Sequence, residues 1–140
     1  MADYIVRKFE EIDIQPVLEF MSHVTDTSSV DQDILRNASL VFENEQVAGM
    51  VSYERISEMG VIRYFIYNHY SLPDLLVNMF FDLYKEARDA GITRLVAVVS
   101  NPHAYQLFEL LGFTEVKHKE EFKIPQLQDF EQASVMSIQL

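Results

Sequence analysis

The stretch from Leu75 to Val99 constrains the fold more than any other. Leu75, Leu76, Met79, Phe80, Leu83 and Tyr84 recur at helical spacing, which predicts an amphipathic helix over Leu75–Ala90 with Gly91 as its C-terminal stop. Leu95–Val99 follows directly and is nearly continuous in apolar residues, the pattern of a strand covered on both faces. A helix leading straight into such a strand implies a parallel crossover.

The flanking segments supply the rest of a mixed sheet. Tyr4–Phe9 reads as a first strand, and Asp13 is placed to cap a helix over Ile14–Val24, where Val17, Leu18 and Met21 recur at helical spacing and Pro16 sits in the first turn. A short helix over Asp31–Asn37 follows the polar run Thr25–Ser29. Leu40–Glu43 and Val47–Ser57, separated by Asn44-Glu45-Gln46, predict a hairpin, and Met59-Gly60 turns the chain into Val61–Tyr67. After the crossover, Asn101–Leu111 predicts the last helix, with Ala104, Leu107, Phe108 and Leu111 on one face and Gly112 as its cap. Thr114–Lys123 and Ser134–Leu140 close the chain as strands joined by the loop Ile124–Ala133. The order is β-α-α-β-β-β-α-β-α-β-β, an α/β (α+β) chain in a single domain over residues 1–140.

Composition excludes several kinds of function. With no cysteine, disulfides, thiolate metal sites and a cysteine nucleophile are out. A net charge of −11 opposes binding to a phosphate backbone, so no nucleic acid partner is expected, whereas a cationic amine would be attracted. Met1–Glu11 carries charges where a signal peptide needs an apolar region, and no eighteen apolar residues run together. The expectation is a cytoplasmic protein with no membrane partner. His23, His69, His103 and His118 form no HxxxH or HxH pair, and no metal site is expected.

Asn101–Phe113, NPHAYQLFELLGF, resembles a motif of the Gcn5-related N-acetyltransferase (GNAT) family: Asn, two residues, Ala, two residues, Leu-Tyr, three residues, Gly-Phe. Asn101, Ala104, Leu107, Gly112 and Phe113 fall on it. Val41–Gly49, VFENEQVAG, and Val6–Val17, VRKFEEIDIQPV, resemble the family's strand-turn-strand and its N-terminal strand with helix start. The resemblance spans nearly the whole chain. It implies a twisted mixed sheet of about seven strands flanked by four helices, with two splayed parallel strands at its centre.

It also implies acetyl-CoA as acyl donor and a small-molecule or peptide primary amine as acceptor. The acyl-pantetheine arm would lie between Ile62–Tyr67 and Leu95–Ser100, along Phe65, Ile66 and Tyr67, with Asn101, Ala104 and Phe108 on the last helix beside it. The family's pyrophosphate loop corresponds to Ser71, Leu72, Pro73, Asp74, Leu75 and Leu76, which hold neither glycine nor arginine. Pro73 has no N–H to donate, and the leucines crowd a cradle that needs close backbone approach. Ser71 and Asp74 have the spacing of a helix-capping pair, which places a carboxylate where the family binds phosphate.

Phe108 stands where the family often has a tyrosine that protonates the leaving thiolate. Tyr105, three residues earlier, offers a phenol near the same face, although packing against the sheet is its ordinary use. Glu54 and Glu58 are the carboxylates placed to act as general base if they face the wedge; solvated surface acids are the alternative. His69 and His103 follow the two wedge strands and could carry protons there, or be ordinary loop residues. Three readings remain open: an N-acyltransferase, a binding or regulatory module that keeps the groove without the chemistry, and a homodimer formed by edge-to-edge pairing of the final strands.

Overall fold

Two tight turns set the antiparallel half of the sheet. Asn44 and Glu45 both take positive φ, 50° and 70°, as a two-residue hairpin turn requires, and they join β2 (Ala38–Glu43) to β3 (Gln46–Ile56). The next turn lies at Ser57-Glu58, with Ser57 at φ 59°, and leads into β4 (Met59–Tyr67). Gly60 is therefore inside a strand and not at the expected turn. A Cβ there would meet Leu95 Cδ2 at 2.7 Å and Tyr53 Cδ2 at 2.9 Å, so its smallness lets β4 lie close to its neighbours. The computed structural model describes residues 3–68, 73–118 and 133–140.

The crossover forms as its periodicity predicts. α3 (Pro73–Asp89) buries Leu76, Met79, Phe80, Leu83 and Ala87, and it ends at Gly91, whose φ of 89° lets Ile92 N–H donate back to Ala87 O at 2.9 Å. β5 (Arg94–Val99) then runs parallel to β4. α4 (Pro102–Leu110) is capped by Asn101, whose Oδ1 accepts from Ala104 N–H at 2.9 Å. Gly112, at φ 100°, terminates it.

Among the described residues the sheet has the order β1-β2-β3-β4-β5-β7-β6. β1 (Tyr4–Lys8) pairs with β2 at one edge, and β7 (Ser134–Gln139) lies between β5 and β6. The predicted strand Thr114–Lys123 shrinks to β6 (Thr114–Glu115). Val116 N–H still donates to Val135 O at 2.8 Å, but Lys117 and His118 leave the ladder, and the remainder of that segment lies outside the described residues. One face of the sheet is covered by α3 and α4, the other by α1 (Ile14–Met21) and α2 (Gln32–Leu35).

Asp13 does not cap α1. Its backbone is helical and its carboxylate turns to Arg7, accepting from both guanidinium nitrogens at 2.7 and 2.9 Å, and Oδ2 also accepts from Glu10 N–H. The guanidinium lies 4.5 Å from the centroid of the Phe42 ring. This pair fixes the entry to α1 against β1 and β2. Asp13→Asn is expected to cost about 2 kcal/mol near pH 7, less than a fully buried pair because the Arg7 side chain is 33% exposed. The Arg7 hydrogen bonds hold the Asp13 carboxyl below its ordinary pKa of 3.8, so this stabilisation is complete above that value and is lost as pH falls through the lower folded-state pKa. Urea denaturation of both proteins near pH 7 and again well below pH 3.8 checks this, since the gap between them must close in acid.

Candidate functional site

Between β4 and β5 the sheet splits. The parallel ladder pairs Met59 with Arg94, Gly60 with Leu95 and Val61 with Val96, then stops, although β4 continues to Tyr67 and β5 to Val99. A bulge prepares the split. Between the pairs Tyr53–Ile62 and Val51–Phe65, Ser52 alone faces both Arg63 and Tyr64. Ser52 is fully buried, and its Oγ accepts from Tyr64 N–H at 3.3 Å, which satisfies the displaced amide. A bulge bends and twists its strand, which turns the end of β4 away from β5. Among the described residues the edge of β4 beyond Val61 has no strand partner on that side and faces a V-shaped groove.

Aromatic rings close the α3 and α4 side of the groove. Phe65 of β4 meets Phe80 of α3 at 5.1 Å and Phe108 of α4 at 5.9 Å, both edge to face, and Phe108 in turn meets Phe80 at 5.8 Å and Phe113 at 5.0 Å. The contact of Phe65 with Phe108 bridges the V. Ala104, one turn before Phe108, packs on the same core. Ile66 points to the other face, with Tyr64, against the core under α1 and α2, and Tyr67 is exposed near the mouth.

At the start of α3, Pro73 and Asp74 are exposed and Leu75 is half-buried. Leu76 is buried in the core beneath the helix, so it does not crowd an anion as the sequence suggests; the helical stripe turns it inward. Ser71 and Leu72, and with them the predicted capping pair, lie outside the described residues, as does His69.

Solved structures match this fold. The chain superposes over its whole length on 36% of N-acetylglutamate synthase from Neisseria gonorrhoeae complexed with coenzyme A and N-acetyl-glutamate, with a TM-score of 0.73 and 14% identity. It covers 99% of a GNAT-family acetyltransferase from Streptococcus pneumoniae at a TM-score of 0.70 and 20% identity, matching 99% of its own length. With the ribosomal-protein-S18-alanine N-acetyltransferase from Escherichia coli the TM-score is 0.68 at 16% identity, over 98% of this chain and 94% of that one. The chain has the GNAT fold. No family model matches its sequence, and no curated protein is similar to it in sequence.

Within the GNAT fold the expected catalytic groups fall in unexpected places. Tyr105 points away from the V: its hydroxyl donates to Glu115 Oε1 on β6 at 2.9 Å, with β5 and β7 between it and β4. That hydrogen bond to a carboxylate raises its pKa and makes it a poorer acid. Glu54 sits opposite Val61, at the apex of the V, and is ion-paired with Arg63. Glu58 lies in the turn before β4, at the closed end of the sheet, where its carbonyl accepts from Thr93 N–H at 2.8 Å. It is therefore remote from the groove mouth. Asn101 commits its Oδ1 to the α4 cap. His103 is exposed in the first turn of α4.

A cavity of about 410 Å³ lies beyond the end of β5 on its other side, between α4 and the start of β7. No described helix is long and apolar enough to cross a membrane, and no three described His, Asp or Glu side chains are grouped to hold a metal ion.

Proposed function

We propose that this chain is a single-domain N-acyltransferase that moves an acetyl or similar acyl group from acyl-CoA to a primary amine of a small molecule or peptide. The observation that carries this is the split of β4 from β5 after Val61–Val96, which leaves the β4 edge open where an amide-rich pantetheine arm can bind as an added strand. Such binding uses backbone groups and makes little demand on side chains. Bound acyl-CoA supplies an activated thioester. The protein's part is to hold the acceptor beside it and keep the attacking nitrogen unprotonated, since an ammonium has no lone pair. Glu54, at the apex and paired with Arg63, is the carboxylate best placed to take that proton directly or through water. The C–N bond forms as the C–S bond breaks. Tyr105, the phenol expected to protonate the sulfur, is turned to Glu115, and an alkyl thiol, far more acidic than an alcohol, leaves tolerably as a thiolate near neutral pH.

Two observations favour a second reading, a GNAT-fold binding module without transfer chemistry: Phe108 is buried among aromatic rings, and Asp74 stands at the start of α3. Thiol release from acetyl-CoA in the presence of a panel of primary amines separates the two. Amine-dependent release supports transfer; bound acetyl-CoA with no release for any amine supports the module.

Asp74 gives a further expectation. Its carboxylate adds negative charge at a helix end that would otherwise attract a pyrophosphate. Asp74→Gly is expected to tighten coenzyme A binding about fivefold at low salt, and the gain must shrink as salt screens the repulsion. Calorimetric titration at two ionic strengths measures this, and a gain that ignores salt would point to loop flexibility instead of charge.

A further inference from the structure

β1 is an edge of the sheet, and the bonds at its two ends fix the phase of its ladder. Asn44 N–H donates to Asp3 O and Phe9 N–H to Ala38 O, each at 2.9 Å, so the odd-numbered residues of β1 exchange hydrogen bonds with β2. The N–H and C=O groups of Tyr4, Val6 and Lys8 therefore point outward, where no described strand pairs with them. Lys8 O accepts from Arg7 Nη1 at 3.0 Å. The others form an open row, the feature through which sheets extend from chain to chain.

This row matches itself. An antiparallel copy centred on Val6 sets Val6 opposite Val6 of the second copy, Lys8 opposite its Tyr4 and Ile5 opposite its Arg7. The two Val6 residues exchange two hydrogen bonds, and each Lys8 N–H reaches the other copy's Tyr4 O, so four bonds form while Arg7 keeps the Lys8 carbonyl. Charge selects the same arrangement. Each Lys8 faces a Tyr4 ring whose hydroxyl donates to Glu43 Oε1 at 3.4 Å, whereas a parallel copy would align Lys8 with Lys8. β1 carries Arg7 and Lys8 and no acid, which offsets at this edge the repulsion between two chains of net charge −11. Ile5, 55% exposed in a single copy, is covered by the Arg7 stem of the other.

We propose that two copies of this chain pair through β1 into a closed twofold dimer with one sheet running through both. β2, β3 and β4 separate this edge from the acyl-donor groove, which stays open. A five-residue strand buries less surface than a standard interface of roughly 1,200–2,000 Å², so the dimer is weak and fills at high protein concentration.

Sedimentation equilibrium from micromolar to millimolar protein should show a reversible monomer–dimer equilibrium. Over that range amide exchange should slow at Val6 and Lys8 and hold steady at Ile5, Arg7 and Phe9, whose N–H groups already bond β2. Val6→Pro removes no hydrogen bond of the single copy but both Val6–Val6 bonds, and should weaken association about tenfold or more. The chain has no cysteine, so Val6→Cys introduces a lone thiol. Paired Cα atoms about 5.5 Å apart are within disulfide reach, and mild oxidation should link this variant as a dimer but leave Gln139→Cys, exposed on β7, unlinked. A chain that stays monomeric at millimolar concentration would overturn the proposal, as would a dimer whose protection spares Val6 and Lys8.

Discussion

Phe80→Ala is expected to destabilise the protein by about 3–5 kcal/mol, the range for removing a fully buried phenyl ring. Phe80 is 0% exposed and meets Phe65, Tyr84, Phe108 and Phe113 through ring contacts of 5.1 to 6.5 Å. It is the hub that ties α3 to β4 on one side and to α4 on the other. Removing it leaves a cavity that the surrounding rings can refill only by leaving their edge-to-face geometry, and the bridge across the V loosens with them. The neighbouring Phe81 is 58% exposed, so Phe81→Ala should cost within about 0.5 kcal/mol. Chemical denaturation of the two variants gives the comparison. A loss at Phe80 below about 1.5 kcal/mol would mean that the cluster collapses into the space and that the groove wall is not rigid.

Phe108→Tyr is expected to act in opposite directions on stability and on turnover. The new hydroxyl enters a site that is 5% exposed and packed by the rings of Phe65, Phe80 and Phe113, so the free protein is expected to lose about 1–2 kcal/mol. In the complex the same hydroxyl can donate a proton to the departing sulfur, and kcat should rise. General acids contribute roughly a hundredfold or more, but a thiolate needs less help than an alkoxide, so a gain of about tenfold to a hundredfold is expected. The gain should fade at high pH, where the phenol ionises. Steady-state thiol release across pH, compared with the parent protein, measures it. An unchanged kcat with intact folding would show that position 108 does not face the reacting sulfur.

The elements legible in the sequence were those whose cues are local. The stripe of α3, its stop at Gly91 and the end of α4 at Gly112 each depend on residues within a few positions of one another, and each stands where its cue places it. The parallel pairing of β4 with β5 followed from the same local order. Cues that depend on distant partners were not legible. Asp13 has the sequence of a cap, but Arg7, six residues earlier on β1 and brought back to it by the turn after that strand, claims its carboxylate. The bulge opposite Ser52 requires the register of two strands, which neither strand alone encodes. Tyr105 and Phe108 differ by about 60° around the helix axis, so only the docking angle of α4 decides that one turns to β6 and the other to β4. Glu58 moved to the closed end because the turn came two residues earlier than Met59-Gly60 suggested.

Thermal unfolding with and without acetyl-CoA tests most directly whether the groove between β4 and β5 takes an acyl donor. At a hundred times its dissociation constant the ligand should add about 2.7 kcal/mol, which raises the unfolding midpoint of a chain of this size by about 8–10 °C. A concentration-dependent rise of that order is the predicted result. An unchanged midpoint at millimolar acetyl-CoA would contradict the account, because the open edge of β4 would then hold no donor.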